Sequence, residues 1–116
     1  MLLLAALFFL VMGIAGLLAP AFVARQFQVK DLTITGRNEV RAVYGGFGVA
    51  TAGALVYAVF DTDARNGITL AVTAALFGMA ACRVFSAIVD RSIGRFALVF
   101  LLTECVLAAC LLAARR

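Results

Sequence analysis

Three charged side chains interrupt the long apolar runs of this 116-residue sequence: Arg83, Asp90 and Glu104. A charged group at the centre of a bilayer costs about 2.5–3.5 kcal/mol or more, so such residues usually pair or serve a function. If Arg83 and Glu104 lie on consecutive helices, the helical rise places them about 10 Å and about 15 Å from the connection between those helices. The difference in depth is within the reach of an arginine side chain. The sequence therefore predicts an Arg83–Glu104 ion pair.

Other polar residues cluster toward the same end of these runs. They begin the second apolar run or lie on the Arg83 face of the third, and together they predict a polar pocket: Glu39, Arg41, Tyr44, Arg83, Ser86, Asp90 and Glu104. We expect Glu104 to form its floor and Tyr44 to donate a hydrogen bond into it. Structural pairing that fixes helix register and a site that binds a ligand or handles protons both remain open.

The composition narrows the chemistry available to such a pocket. The sequence has no histidine, and its three cysteines, Cys82, Cys105 and Cys110, lie in apolar runs without C-x-x-C spacing. No metal site, cofactor or nucleophile–base pair is predicted, and the sequence favours a role without catalysis. The net charge of +4 comes from scattered basic residues, which favours the lipid bilayer and not nucleic acid as partner.

The elements that position these residues are predicted to be membrane helices. Apolar residues make up 66% of the chain, charged residues 14%, and the mean hydropathy is +1.12, values outside the range of ordinary soluble domains. We predict one all-α domain over residues 1–116, an integral membrane up-down-up-down four-helix bundle. Its spans are expected at about 2–23, 39–60, 68–89 and 95–114.

Helix boundaries follow from local signals. We read the first run as a retained helix that Pro20 bends or ends, and not as a cleaved leader. The polar stretch 24–38 alternates loosely and predicts an extended or interfacial segment, after which Thr35 or Asn38 caps the second helix. Residues 61–67 predict a loop and residues 90–94 a tight connection.

Basic residues are distributed unequally between the two ends of such a bundle. Three lie on the side of the termini (Arg65, Arg115, Arg116) and six on the other side (Arg25, Lys30, Arg37, Arg41, Arg91, Arg95). The excess of positive charge predicts that the second side is cytoplasmic, which places the termini in the periplasm of a bacterial inner (plasma) membrane.

Small residues recur every fourth position on the second and third helices. One row comprises Ala42, Gly46, Ala50, Ala54 and Ala58, and the other comprises Ala74, Gly78, Cys82 and Ser86. Because membrane helices associate through close backbone approach, these rows predict an intimate contact between the two helices.

The segment 39–46, EVRAVYGG, resembles a motif, E-[IV]-R-A-x-Y-G-G, of small bacterial membrane proteins, the domain of unknown function 4345 family. Cys82, Arg83, Ser86 and Asp90 are similar to a second element of that family, and Glu104 to a third. Ser86 stands where glycine is usual, and the polar stretch before Glu39 is longer than in the family. The resemblance covers essentially the whole chain and implies four helices and these polar positions, but no activity.

Three functions are consistent with these observations. The first is binding of a lipid or other small amphipathic molecule in the polar pocket, which the clustered charges beneath a Gly- and Ala-lined groove favour. The second is a structural or assembly subunit of a membrane complex or homo-oligomer, which the numerous small-residue positions favour. The third, a proton-coupled carrier, rests on Glu104 alone.

Overall fold

Long apolar runs become five helices in the computed structural model, which describes residues 1–114 except for the side chains of Phe96 and Ala114. They are α1 (Leu2–Leu18), α2 (Pro20–Gln26), α3 (Ile34–Phe60), α4 (Thr62–Asp90) and α5 (Arg95–Ala114). Two of them, α3 and α4, are long and apolar enough to cross a membrane, and α1 with α2 makes a third if the pair is one broken span. The apolar part of α5, Ala97–Ala113, is shorter.

The first apolar run is broken by a sharp bend. Ala19 leaves the helical conformation with φ −137° and ψ 60°, and Pro20 begins α2, which is bent by 114° from α1. Proline is well suited to a first helical position because the N–H that it lacks would have no partner there. The prediction that Pro20 bends or ends the helix is confirmed.

The irregular stretch before α3 is shorter than predicted. Helix α2 continues to Gln26, and α3 begins at Ile34 with Thr33 as its N-cap. The extended backbone of Thr33 lets its hydroxyl accept a hydrogen bond from the Gly36 amide at 3.0 Å. The prediction of a cap at Thr35 or Asn38 is therefore wrong, since both residues lie inside the helix.

A single residue separates α3 from α4, so the predicted loop over residues 61–67 is helix from Thr62 onward. Asp61 accepts hydrogen bonds from the amides of Asp63 at 3.0 Å and Ala64 at 3.1 Å. Asp favours helix N-caps as strongly as it favours turns, and here the cap prevails. The Tyr57 hydroxyl, followed by the Ala64 and Asp63 amides, lowers the pKa of the Asp61 carboxyl by donating hydrogen bonds to it.

The turn from α4 to α5 is the tight connection that the sequence predicts. Arg91 adopts a left-handed conformation, with φ 56° and ψ 28°, immediately after the last helical residue, Asp90. The backbone N–H groups of Arg91 and Ser92 both donate to the carbonyl of Ala87, which satisfies the helix end as in a Schellman-type cap.

One buried cluster joins all four long helices. Its members are Ala5, Ala6 and Phe9 of α1, Ala52 and Leu55 of α3, Val72 and Leu76 of α4, and Leu107, Ala108 and Leu111 of α5. Within this arrangement α1 packs mainly against α3, and α5 mainly against α4. Direct packing between α1 and α5 is slight, so the bundle is open along that side.

The backbones of α1 and α3 approach each other closely at their glycines. A Cβ added to Gly13 would lie 2.6 Å from the Val49 nitrogen, and one added to Gly48 would lie 2.8 Å from the Gly13 Cα. Only glycine permits this separation, because any side chain at these positions would overlap the facing backbone. Small residues thus bring helices together as expected, but between a different pair of helices.

The contact predicted between the two small-residue rows is not formed as expected. A Cβ on Gly78 would meet nothing within 4 Å, and one on Gly46 would meet only a carbonyl of its own helix at 3.8 Å. Of the remaining row members, Ala58 is buried, Ala54 is half-buried, and the rest are exposed: Ala42, Ala50, Ala74, Cys82 and Ser86. Residues four apart are displaced by about 40° around an α-helix at about 3.6 residues per turn, so each row winds around its helix and does not stay on the face that meets the other helix.

Candidate functional site

The Arg83–Glu104 ion pair forms as the sequence predicts. Nε of Arg83 donates to Oε1 of Glu104 at 2.8 Å, and Nη2 donates to Oε2 at 3.2 Å. The side chain of Glu104 is 1% exposed and that of Arg83 is 22% exposed. This two-pronged geometry is the strongest arrangement between a guanidinium and a carboxylate, and it connects α4 to α5 inside the bundle.

Aromatic rings hold the guanidinium from another direction. The Arg83 guanidinium carbon lies 5.3 Å from the centre of the Phe100 ring, within the range of a cation–π interaction. Phe8 of α1 in turn packs against Phe100 with ring centres 5.9 Å apart. Glu104 therefore holds one edge of the guanidinium and Phe100 one face, which leaves its remaining N–H groups for another partner.

The π-helical segment of α3 positions Tyr44 beside this pair. In this segment the Phe47 amide bonds to the carbonyl five residues earlier, at Ala42, and such one-turn insertions occur frequently at functional sites. Gly45 faces α1, where a Cβ would lie 2.8 Å from Leu17, whereas Tyr44 faces the interior and stacks on Phe27 with ring centres 5.7 Å apart. In residues 1–114 the structure shows no hydrogen bond from the Tyr44 hydroxyl.

A cavity of about 470 Å³, the central cavity, surrounds the ion pair. Every long helix contributes to its wall, and the side chains are apolar except for Tyr44, Arg83 and Glu104. An apolar chamber with one ionic pair is suited to a molecule that has both an apolar and a polar part.

Three further cavities adjoin the central one. The lateral groove, of about 560 Å³, lies between α1 and α5 and shares Phe8 and Met12 with it. Toward the α4–α5 connection, the loop cavity (about 490 Å³) and the vestibule (about 530 Å³) both share Tyr44 and Arg83 with it. Arg83 thus lies where the central cavity, the loop cavity and the vestibule meet.

The predicted polar residues divide into three groups. Tyr44, Arg83 and Glu104 come together in the central cavity, and Ser86 and Asp90 line the adjoining loop cavity. Glu39 and Arg41 are exposed and line none of the cavities that Arg83 lines. Both residues come before or at the start of the π-helical segment, where the number of residues per turn increases. A helical wheel drawn for a regular α-helix therefore places them near Tyr44.

Sequence reasoning missed several residues around Arg83. Phe100 holds the guanidinium, and Gln26, Gln28 and Arg95 line the vestibule. The sequence predicted that Arg95 begins a helix, but it did not predict that Arg95 lies near α2. That nearness depends on the bend at Pro20, whose size no sequence pattern gives.

The sequence model of a family described as a domain of unknown function, DUF4345, matches residues 1–115. The chain belongs to this family. No match to a curated protein or to a solved structure was found. Membership in DUF4345 agrees with the resemblance of segment 39–46 and assigns no activity, so the functional argument rests on the geometry of the site.

Proposed function

We propose that this DUF4345 protein is a multi-pass membrane protein that binds a lipid or other small amphipathic molecule around the Arg83–Glu104 pair. The observation that carries the proposal is the central cavity, in which apolar walls from four helices surround one ion pair. Most of the surface available to a ligand is apolar and would receive a hydrocarbon part. Tyr44 and the free N–H groups of Arg83 would fix the orientation of a polar part.

The open side of the bundle supports entry from the bilayer. The lateral groove between α1 and α5 is lined almost entirely by apolar side chains, and it shares Phe8 and Met12 with the central cavity. Leu7 and Val11 on its outer part are more than half exposed, as expected for side chains in contact with acyl chains. A hydrocarbon chain lying in this groove would contact Phe8 and Met12, which also line the cavity of the ion pair.

The proposed topology has four spans in up-down order, with α1 and α2 as one broken span and α5 as the last. The 20 residues of α5 correspond to about 30 Å of helix, which is close to the thickness of a hydrocarbon core. The basic residues favour a cytoplasmic location for the ends that carry Arg25, Lys30 and Arg95 in a bacterial inner membrane. Arg115 and Arg116, which oppose this bias, lie outside the described residues.

Filling the cavity tests the proposal. Ala42 lines the central cavity, so Ala42→Trp is expected to displace the ligand that native mass spectrometry detects on the wild-type protein gently extracted from its membrane. Ala50→Trp is the matched control, because Ala50 is exposed on the same helix and does not line the cavity. A wild-type protein without any bound amphiphile, or equal occupancy in Ala42→Trp, would contradict the proposal.

A second function, assembly of a homo-oligomer or membrane complex, is favoured by the outward small-residue faces. Gly53 and Gly78 have open space around them, and a Cβ on Gly46 would meet only a carbonyl of its own helix. The exposed Ala50 and Ala74 lie nearby on the same helices. These faces allow another helix to approach closely. Single-molecule photobleaching in nanodiscs would test this: Gly53→Leu and Gly78→Leu should lower the number of subunits per particle, whereas wild-type monomers would contradict it.

The proton-coupled carrier remains a prediction. Both carboxylate oxygens of Glu104 accept hydrogen bonds from Arg83, a geometry that supports a fixed ion pair more directly than a proton relay. Proton-flux measurements on Glu104→Gln proteoliposomes would test it.

A further inference from the structure

We propose that the polar end of the bound amphiphile is an anion, a carboxylate or a phosphate, and that the vestibule is its site. This inference rests on the proposed function and adds the charge and the position of the ligand's head group. The vestibule lies between α2, the π-helical segment of α3 and the start of α5, and Gln26, Gln28, Tyr44, Arg83, Gly94 and Arg95 line it.

Arg83 retains hydrogen-bond donors for such an anion. A guanidinium has five N–H groups, and Glu104 accepts from two of them, one on Nε and one on Nη2. The other three lie on Nη1 and Nη2 of a side chain that lines the vestibule as well as the central cavity. A guanidinium held in place by Glu104 and Phe100 is preorganised, so little side-chain entropy is lost when an oxyanion binds to it.

Arg95 supplies a second positive charge in an electrostatically unfavourable place. It is the first residue of α5, where the helix dipole is positive, and the first turn of α5 contains no acidic residue. A cation at this end of a helix is destabilising. Within residues 1–114, Arg95 forms no ion pair. An anion in the vestibule would reverse this unfavourable interaction.

The remaining wall of the vestibule is complementary to an anion. The Gln26 amide donates one hydrogen bond to the Phe22 carbonyl at 3.3 Å and keeps a second N–H, and Gln28 also carries a side-chain amide that can donate. Gly94 precedes α5 without a side chain to obstruct access to the first amides of that helix. No Asp or Glu of the described chain lines the vestibule. Asp90 lines the loop cavity, which shares Tyr44, Arg83 and Gly94 with the vestibule. Glu104 balances the charge of Arg83, so the positive charge of the vestibule that no carboxylate of the described chain pairs with is that of Arg95.

The neighbouring cavities identify the rest of the ligand as a hydrocarbon chain. The vestibule adjoins the central cavity at Tyr44 and Arg83, and the central cavity adjoins the lateral groove at Phe8 and Met12. The polarity falls along this order, from two arginines to a groove with only Thr103 as a polar residue. A molecule with one anionic end and one acyl chain follows the same order.

Acyl probes that share a chain and differ in head group test the inference on the purified protein in neutral detergent. We expect oleate and oleoyl lysophosphatidic acid to bind at least about 10-fold more tightly than monooleoylglycerol, as a charged hydrogen bond typically contributes. In Arg95→Gln this preference should fall about 10-fold while monooleoylglycerol still binds. The thermal midpoint should not fall, because Arg95 opposes the helix dipole. Arg25→Gln, the matched control, changes an exposed arginine that does not line the vestibule and should leave both affinities unchanged.

Each other outcome overturns a different claim. Equal affinities for oleate and monooleoylglycerol, or an undiminished preference in Arg95→Gln, would overturn the anionic head group and leave the binding of an amphiphile intact. If no acyl probe binds, the proposed function itself is wrong. Inorganic phosphate that binds when no acyl probe does would assign the vestibule to a free anion and overturn both.

Discussion

The backbones of Gly16 in α1 and Gly45 in α3 are in direct contact. A β-carbon added to Gly16 would lie 2.6 Å from the Gly45 amide nitrogen and 2.9 Å from the Tyr44 carbonyl carbon. Because the facing atoms are backbone, no rotamer change can relieve the overlap. This contact connects the fold to the site, since Gly45 directly follows the tyrosine that lines the central cavity.

Replacement of Gly16 by leucine is therefore expected to lower the free energy of unfolding by more than the cost of ordinary overpacking, which is about 1–3 kcal/mol. The reason is that α1 would have to move away from α3 along its whole contact. Thermal unfolding of the detergent-solubilised protein measures the effect. The control is Gly53→Leu on α3, where an added side chain meets open space and the midpoint should stay near wild type. Equal destabilisation by the two changes would contradict the contact.

Removal of one partner of the ion pair is expected to cost about 3–5 kcal/mol, because the other charge stays buried and unpaired. Arg83→Met is the sharper test, since it leaves Glu104, which is 1% exposed, without its partner. The double variant Arg83→Met with Glu104→Leu should recover most of the loss, as apolar replacements of buried pairs often do. Chemical denaturation in mixed micelles would measure the stability of both variants. A double variant no more stable than Arg83→Met would contradict the energetic coupling of the pair. Glu39→Gln, at an exposed carboxylate, is the matched control.

The N-cap of α3 is expected to contribute about 1 kcal/mol through the Thr33 hydroxyl, which accepts from the Gly36 amide. Thr33→Ala should lower the free energy of unfolding by that amount, whereas Thr35→Ala, at an exposed position inside the helix, should change it little. Circular dichroism during denaturant titration would measure the difference. A larger loss in Thr35→Ala would show that the helix begins two residues later.

Asp61 is expected to make the stability of the α3–α4 turn depend on acid. The hydrogen bond from Tyr57 and those from the Ala64 and Asp63 amides hold the pKa of its carboxyl below the usual range. A lowered pKa stabilises the folded state fully above the unfolded-state value of about 3.9 and loses that contribution as the pH falls through the lower folded-state pKa.

In Asp61→Asn the cap remains but the charge is gone, so its thermal midpoint should fall less steeply below about pH 4 than that of the wild type. The thermal midpoints of the two proteins should become equal at the most acidic pH. Asp31→Asn, in the exposed connection before α3, is the control and should follow the wild type. If the thermal midpoints of the wild type and of Asp61→Asn fall equally steeply below about pH 4, the role of Asp61 is contradicted.

The centre of the site could be predicted because the distance of a helical residue from the turn that follows or precedes it depends only on residue number. Arg83 and Glu104 lie at similar distances from the short α4–α5 turn, and two buried opposite charges at one depth have few alternatives to pairing. The surrounding shell could not be predicted in this way. Its members depend on the bend at Pro20 and on the π-helical segment of α3, which are tertiary features without a period in the sequence.

The errors at helix ends have a common cause. Thr33 and Asp61 cap helices that were predicted to begin later, because Asp, Asn, Thr and Gly favour both turns and caps. Small-residue spacing had a similar ambiguity. The spacing indicated faces of α3 and α4 that allow close approach. In the structure, however, it is the glycines of α1 that contact α3, and Gly46 and Gly78 face outward.

The π-helical turn at Arg41–Gly46 inserts one residue between the two halves of α3. An α-helix takes about 3.6 residues per turn, and a turn with i→i+5 hydrogen bonds takes up about one residue more. A chain one residue shorter in this turn would therefore close as regular α-helix and leave residues 34–40 in nearly the same orientation relative to Phe47–Phe60. The change would fall on the side-chain directions within the turn, where Tyr44 stacks on Phe27 and Gly45 packs against α1. The number of residues in this turn, as well as their identity, thus sets the geometry of the site.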